Sequence, residues 1–251
     1  TRRSTLVFDT GVSFRGGGSV AEQVVVPFLK SKGLKRVNWL IVSHADSDHS
    51  GGVRPLHEYA EVGAMLVGES LREGDLASAA CTAGQYWEAD GVSFRILHPD
   101  PATLHDGNDS SCVLLVEVGG HGLLLTGDIE AGAERALIRR NELAVVDVVV
   151  VPHHGSLTSS SAPFVDAVSP MIAIVSAGHA NRWGFPKERV VARWRSVGAE
   201  VLDTATSGAV SFRMCAQGGI RSLREDRYER RRFWRAVAVY FIFPPGSGFY
   251  G

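Results

Sequence analysis

The sequence predicts an α/β to α+β fold, in which crossover-linked strands share the molecule with hairpins. Three observations carry this. Val37-Asn38-Trp39-Leu40-Ile41-Val42 and Asp147-Val148-Val149-Val150-Val151-Pro152 are almost continuous apolar runs, the mark of strands covered on both faces. Cys112 to Val118 and Leu123 to Thr126 flank the turn Gly119-Gly120-His121-Gly122 as the arms of a hairpin. Helical patterns such as Ala131 to Asn141 and Lys187 to Val197 fall between the strands.

Taken in order, Leu6 to Phe8 reads as a strand ended by the turn Asp9-Thr10-Gly11. After the Gly16-Gly17-Gly18 loop, Ser19 is the N-cap of a helix running to about Lys32, kinked by Pro27 and stopped by Gly33. The apolar strand Val37 to Val42 follows, then a helix over Val53 to Glu61 and a strand over Ala64 to Val67. Glu69 to Tyr86 reads as irregular, and Val92 to His98 alternates as a half-buried strand. Beyond the hairpin and its helix come the strand at 147–152, a helix over Pro163 to Val168 and a strand over Met171 to Ser176. The helix Lys187 to Val197, closed by Gly198, leads to final strands over Val201 to Leu202 and Ala209 to Met214.

With 251 residues the chain can bury one large core or two small ones. Its 45% apolar and 21% charged residues exclude disorder of the whole. The net charge of −1 conceals a basic segment, because Arg221 to Arg235 holds seven arginines against three acids. Arg221, Arg224, Arg227 and Arg230-Arg231 fall at helical spacing there, with Tyr228, Phe233 and Trp234 interleaved, which suits either a solvated extension or contact with a polyanion. The longest apolar stretch, Ala236 to Phe243, is shorter than the ~20 residues a bilayer span needs and is closed by Pro244-Pro245. Cys81, Cys112 and Cys215 are odd in number and widely spaced, so no disulfide partner is expected, and Cys112 reads as a small core residue.

The chemistry concentrates in Ser43-His44-Ala45-Asp46-Ser47-Asp48-His49-Ser50-Gly51-Gly52, four metal-capable side chains within six residues at the end of an apolar strand. Packing gives no reason for such a cluster. Other strand ends carry Asp9, Asp128 and His153-His154, and ligands at several strand ends can converge on one edge of a sheet. Asp9 also fits a simple Asx turn, Asp128 alone would serve as a helix N-cap, and a His-His pair alone would be structural. Two divalent ions held by such a set would supply a hydrolytic nucleophile and neutralise phosphoryl oxygens. Mixed imidazole and carboxylate ligands suit Zn²⁺, and an excess of carboxylate shifts the preference toward Mn²⁺.

His44-x-Asp46-x-Asp48-His49 with Gly51-Gly52, Gly127-Asp128 and His153-His154-Gly155-Ser156 resembles the metallo-β-lactamase superfamily, whose usual loop is HxHxDH. Asp46 stands where the second His is usual. Together with Phe8-Asp9-Thr10-Gly11, Asn108-Asp109-Ser110-Ser111-Cys112, Leu124-Leu125-Thr126-Gly127-Asp128-Ile129-Glu130 and Val151-Pro152, these motifs look like the C-terminal hydrolase domain of the ComEC family of DNA-internalisation proteins, from about Thr5 to Met214.

The resemblance implies a four-layer αββα metallo-β-lactamase fold, here N-terminally truncated, over residues 1–216, followed by an Arg-rich, partly disordered tail over 217–251. It further implies that His44 and Asp46 hold one metal ion, that Asp48, His49 and His154 hold the other, and that Asp128 bridges both. His153 becomes an alternate ligand or phosphate contact, and Asp48, Asp128 and His153 the catalytic set. Asn108, Ser110 and Ser111 stand where relatives place another His and would orient a phosphate or a water. Arg182 is a phosphate contact and, with Trp183, a stacking candidate. His179 either replaces the proton donor that Phe185 cannot be or is an ordinary loop residue.

The function implied is a nuclease that uses two Zn²⁺ or Mn²⁺ ions to degrade the DNA strand left untransported during uptake in natural transformation. Its expected partners are single-stranded DNA and, in the same protein, an upstream transmembrane channel and OB-like modules. The domain would sit on the outer, periplasmic face of the cytoplasmic membrane. Hydrolysis of a small ester, lactone or phosphodiester, or a non-catalytic module that binds DNA or braces the channel, are the alternatives.

Overall fold

The structure is a computed structural model that describes residues 3–71, 76–102 and 106–229. Two sheets face one another. The first holds the parallel strands β1 (Leu6–Phe8), β2 (Arg36–Val42), β3 (Glu61–Val67) and β4 (Ala79–Ala80) in that order. The second has seven strands: β5 (Tyr86–Ala89), β6 (Val92–His98), β7 (Val113–Val118), β8 (His121–Leu125), β9 (Val148–Val150), β10 (Ile172–Val175) and β11 (Glu200–Asp203). These follow one another in space as in sequence, antiparallel from β5 to β8 and parallel from β8 to β11.

Helices cover the two outer faces. A π-helical turn, Ala21–Val25, runs into α1 (Val26–Ser31); α2 (Ser47–Ser50) is a single turn; and α3 (Val53–Tyr59) closes the layer over the first sheet. That layer is sealed by Leu29, Val37, Leu40, Val42, Val53 and Leu56. Over the second sheet lie α4 (Ala131–Arg139), α5 (Ala162–Val168) and α6 (Glu188–Ser196), packed through Leu137, Phe164, Val165, Val190 and the fully buried Trp194.

Between the sheets Ile41, Phe94, Ile96 and Leu114 interlock, each all but excluded from water and worth roughly 1.5–3 kcal/mol in burial. Alternation along β7 sorts its side chains, since Val113 and Leu115 face the helices while Leu114 faces the opposite sheet. The four layers are therefore helices, sheet, sheet and helices, the mixed α/β architecture that the motifs implied.

Local outcomes depart from the sequence reading at several points. The helix expected from Ser19 to Lys32 divides into a π-helical turn and α1, and Ala79–Ala80 adds a short edge strand within the stretch read as irregular. Gly219–Glu225 forms β13, paired antiparallel with β12 (Val210–Cys215) across the boundary drawn at residue 216. Arg221 and Arg224 thus stand on a strand, and Arg227 in the short helix Asp226–Glu229, despite their helical spacing. The rest of the predicted tail, residues 230–251, lies outside the described residues.

The cysteines need a correction. Cys81, just after β4, is bonded to Cys112, just before β7, with Cα atoms 5.8 Å apart, and Cys215 is free. Spacing could not reveal this pair. The two residues are separated by 31 positions and meet only because the sheets bring β4 and β7 together. Among the described residues no helix is long and apolar enough to cross a membrane.

Candidate metal centre

Parallel pairing explains why the chemistry gathers at one edge. β1 and β2 run side by side with Phe8 opposite Ile41, so Asp9 and Ser43-His44 leave the first sheet together. β8 and β9 run side by side with Leu124 opposite Val149, so Gly127-Asp128 and His153-His154 leave the second sheet together. Carboxyl ends of parallel strands are where α/β folds form crevices. A cleft of about 490 Å³ opens there, with Asp9, Asp48, His49, Asp128 and His154 on its walls.

The loop after β2 is held by its own backbone and by Thr10. His49 N and Ser50 N both donate to Asp46 O, at 3.0 and 2.9 Å, which winds Ser47–Ser50 into α2 and places Asp48 and His49 on it. Thr10 donates through N and Oγ1 to His49 O, both at 2.8 Å, and accepts from Gly52 N at 3.0 Å. Gly127 turns the other wall with φ +54, and a Cβ there would lie 2.7 and 2.8 Å from the Cβ atoms of Ser43 and Ser111, so only glycine fits.

Asp48, His49, Asp128 and His154 each offer a ligand atom, all within 4.8 Å of one another. Asp128 Oδ2 lies 3.3 Å from His49 Nε2, 3.6 Å from His154 Nε2 and 3.9 Å from His153 Nε2. Asp48 Oδ2 lies 3.5 Å from His154 Nε2 and 3.8 Å from His49 Nε2. His44 and Asp46 stand beside this group, with His44 Nε2 3.6 Å from Asp46 Oδ2 and the His44 and His49 rings 4.2 Å apart.

The tautomers are set by what stands behind the rings. His154 Nδ1 faces Ser176 O at 2.6 Å, and a carbonyl only accepts, so Nδ1 carries the proton and Nε2 faces the cluster. His49 Nδ1 faces Asp9 Oδ2 at 2.8 Å in the same way. Asp9 also accepts from Ser43 N at 2.7 Å and Ser43 Oγ at 2.9 Å, so its carboxylate supports the His49 ring as well as the turn. His44 Nε2 and His49 Nε2 are buried with no hydrogen-bond partner. Two orphaned imidazole nitrogens aimed at a nest of carboxylates are the donor set that a borderline divalent cation satisfies, so the residues fit a metal.

Electrostatics agree with that. Burial works against the His49 imidazolium, but the Asp128 and Asp9 carboxylates on either side outweigh it and raise its pKa to about 11. Contact with His154 holds the Asp48 carboxyl well below its usual range, against the effect of its own burial. For Asp128 burial pushes upward, and the surrounding His49, His154 and His153 pull the carboxyl below its ordinary value. His44 is pushed down by burial and by His49.

The remaining sequence candidates take varied places. His153 sits beside the group of four, with Nδ1 3.1 Å from Thr158 Oγ1 and 3.2 Å from Glu130 Oε1. Ser110 and Ser111 are buried and occupied internally: Ser110 Oγ donates to Gly107 O at 2.6 Å, and Ser111 Oγ accepts from Asp128 N at 3.0 Å and lies 3.4 Å from His44 Nδ1. They brace ligands. Asn108 Nδ2 donates to Glu130 Oε1 at 3.0 Å. Arg182 lies over Trp183, and His179 is exposed on the same loop, neither in contact with the group of four.

Glu130 escaped the sequence reading as a site residue. Its Oε1 gathers His153, Asn108 and Thr158. The available signal was its position, a carboxylate two residues after Asp128 in Gly127-Asp128-Ile129-Glu130.

Comparison with known proteins places this geometry. The family model described as the metallo-beta-lactamase superfamily matches residues 1–179. The chain is 38% identical to the competence protein ComA of Neisseria gonorrhoeae over 230 residues, 91% of this chain and 32% of that protein. It is 39% identical to recombination protein 2 of Haemophilus influenzae over 206 residues, 82% of this chain and 26% of that protein. The chain thus spans about a third or less of the curated relatives it matches. Among solved structures, a variant of the CmlA beta-hydroxylase superposes with a TM-score of 0.53 at 15% identity, over 80% of this chain and 49% of that one, a likeness of fold alone.

Proposed function

Since the chain belongs to the metallo-beta-lactamase superfamily, we propose that it is a metal-dependent phosphodiesterase that cleaves single-stranded DNA, degrading the strand left behind during uptake. The observation that carries the reading is Asp128 Oδ2 facing the Nε2 atoms of His49, His154 and His153 at 3.3, 3.6 and 3.9 Å. Asp48, His49, Asp128 and His154 would hold one Zn²⁺ or Mn²⁺ ion, and His44 and Asp46 would help to hold a second. Such ions, when bound, lower the pKa of water and neutralise charge on phosphoryl oxygens.

The chain's own groups do the rest. Asp9 and Ser176 fix the proton on Nδ1 of His49 and His154, so neither ring can turn its ligating nitrogen away. His153, tethered by Glu130 and Thr158 beside Asp128, is placed to donate a hydrogen bond to a phosphate oxygen or to pass a proton to the departing alkoxide. Ser111 ties the Asp128 backbone to the ring of His44, keeping the two halves of the centre in register.

The likeness to competence proteins supports DNA as substrate, and the longer relatives leave room for an upstream transmembrane channel and OB-like modules in the same protein. The Cys81–Cys112 disulfide supports a place on the outer, periplasmic face, where such bonds persist.

The test is side-by-side turnover of a single-stranded oligonucleotide, bis-p-nitrophenyl phosphate and a lactone with Mn²⁺ or Zn²⁺, for wild type and Asp128→Asn. The expected result is metal-dependent cleavage of the oligonucleotide, lost together with bound metal in the variant. Lactone turnover with intact DNA would replace the proposal by a small-ester hydrolase, and binding of DNA with no turnover of any of the three by a non-catalytic module.

A further inference from the structure

We propose that the loop from Asn181 to Lys187 is a base-stacking platform: Trp183 and Phe185 receive a nucleobase of the strand whose phosphodiester lies at the metal centre, while Arg182 and Lys187 take the flanking phosphates. This rests on the phosphodiesterase reading and specifies its substrate as single-stranded and base-bearing.

The geometry begins at the centre and runs outward. The His153 ring, 3.9 Å from Asp128 through Nε2, meets Phe185 edge-on with centroids 5.8 Å apart and planes at 68°. Phe185 in turn lies parallel to Trp183, with centroids 6.5 Å apart and planes 9° from coplanar. At that separation parallel rings cannot cover each other fully, and Trp183 remains 54% exposed. An indole held parallel to a second ring, yet half in water, gains little as core and leaves much of its surface open to a planar partner.

Cations complete the arrangement. The Arg182 guanidinium lies 4.1 Å from the Trp183 centroid, and Lys187 Nζ lies 5.3 Å from that of Phe185. From Gly178 to Lys187 the loop contains no carboxylate. Planar faces flanked by cations match a strand that is polyanionic along its backbone and planar along its bases. A lactone or simple ester would use neither.

The platform is also fixed relative to the centre. Asn181 closes the loop, its Oδ1 accepting from Phe185 N at 2.9 Å and its Nδ2 donating to Phe185 O at 2.7 Å. Lys187 Nζ donates to Trp183 O at 2.6 Å, and Lys187 N donates to Gly155 O at 2.9 Å. Pro186 packs so closely on Gly155 that a Cβ there would lie 2.6 Å from Pro186 Cβ. The rings are therefore anchored to the segment that carries His153 and His154.

The experiment is equilibrium binding, in chelator so that nothing turns over, of a fluorescein-labelled single-stranded oligonucleotide and of an abasic oligomer of equal length. Wild type, Trp183→Ala, Trp183→Phe and Arg182→Ala are compared, each checked for an unchanged melting temperature. Trp183→Ala is expected to weaken the base-bearing oligomer about tenfold and the abasic one no more than about twofold, with Trp183→Phe restoring most of the loss. Arg182→Ala is expected to weaken both alike and to flatten the salt dependence. Equal losses for the two oligomers with Trp183→Ala, or none for the base-bearing one, would overturn the platform. Because the readout is binding, a chain that binds in this way yet never cleaves DNA would sink the phosphodiesterase reading and leave the platform standing.

Discussion

Asp9 Oδ2 lies 2.8 Å from His49 Nδ1, although the two residues are 40 positions apart, and the same carboxylate accepts from the backbone and hydroxyl of Ser43. One side chain at the end of β1 thus sets the tautomer and the aim of an imidazole on α2. Asp9 has φ +59, a conformation that Asn tolerates, so Asp9→Asn keeps the turn while removing the charge. The expected outcome is a loss of about 10–100-fold in metal affinity with the fold intact, read by competition against a chromophoric chelator. Unchanged affinity would remove Asp9 from the centre.

Metal loading should weaken as pH falls. With its pKa raised to about 11, the protonated His49 of the metal-free chain contributes stability that is fully present below the ordinary imidazole value of 6.5 and is lost as pH rises through about 11. An ion must expel that proton to reach Nε2. The apparent affinity is therefore expected to fall by about tenfold or more per pH unit from pH 8 to 6, corrected for the chelator's own protonation. In parallel, the gain in melting temperature on adding metal should grow with pH. An affinity flat across this range would contradict the arrangement around His49.

Reduction should cost stability. The Cys81–Cys112 bond closes a separation of 31 residues between the sheets, and removing such a constraint costs about 3–4 kcal/mol. Denaturant unfolding of wild type in reductant, and of Cys81→Ala with Cys112→Ala, should show the same lowered midpoint. A midpoint indifferent to reductant would mean that the pair is not formed in solution.

Glu130 should act through His153. Replacing it with Ala removes the 3.2 Å partner of His153 Nδ1 and the shared acceptor of Asn108 and Thr158, while leaving the group of four untouched. The expected result is a fall of about tenfold in kcat for phosphodiester turnover with an unchanged metal content. Glu130→Gln, which keeps an acceptor, should lie between. Loss of metal along with activity would instead make Glu130 a ligand.

Much of the centre was legible because its parts are local. Six residues after β2 carry His44, Asp46, Asp48 and His49, and nearly continuous apolar runs announce the strands that deliver the other residues to one edge. Long-range packing was not legible. The disulfide depends on two sheets meeting, and the inward burial of Ser111 depends on Gly127 closing over it. Glu130 was hidden because its partners come from two segments distant in sequence, around Asn108 and from His153 to Thr158. The β12–β13 hairpin was hidden by charge, since arginines at every third position suggest a helix until a partner strand pairs with them.

His153 and His154 both hold left-handed backbones, with φ of +48 and +52, a conformation that costs an L-residue roughly 1–2 kcal/mol. The work of bending this corner is done when the chain folds, by the pairing of β9 and β10 and by the grip of Ser176 on His154. An arriving ion then has only its own hydration to shed and a proton to displace. Exchange of one metal for another should leave the backbone where it was, so the identity of the ion would be decided by supply and ligand chemistry rather than by any reshaping of the protein.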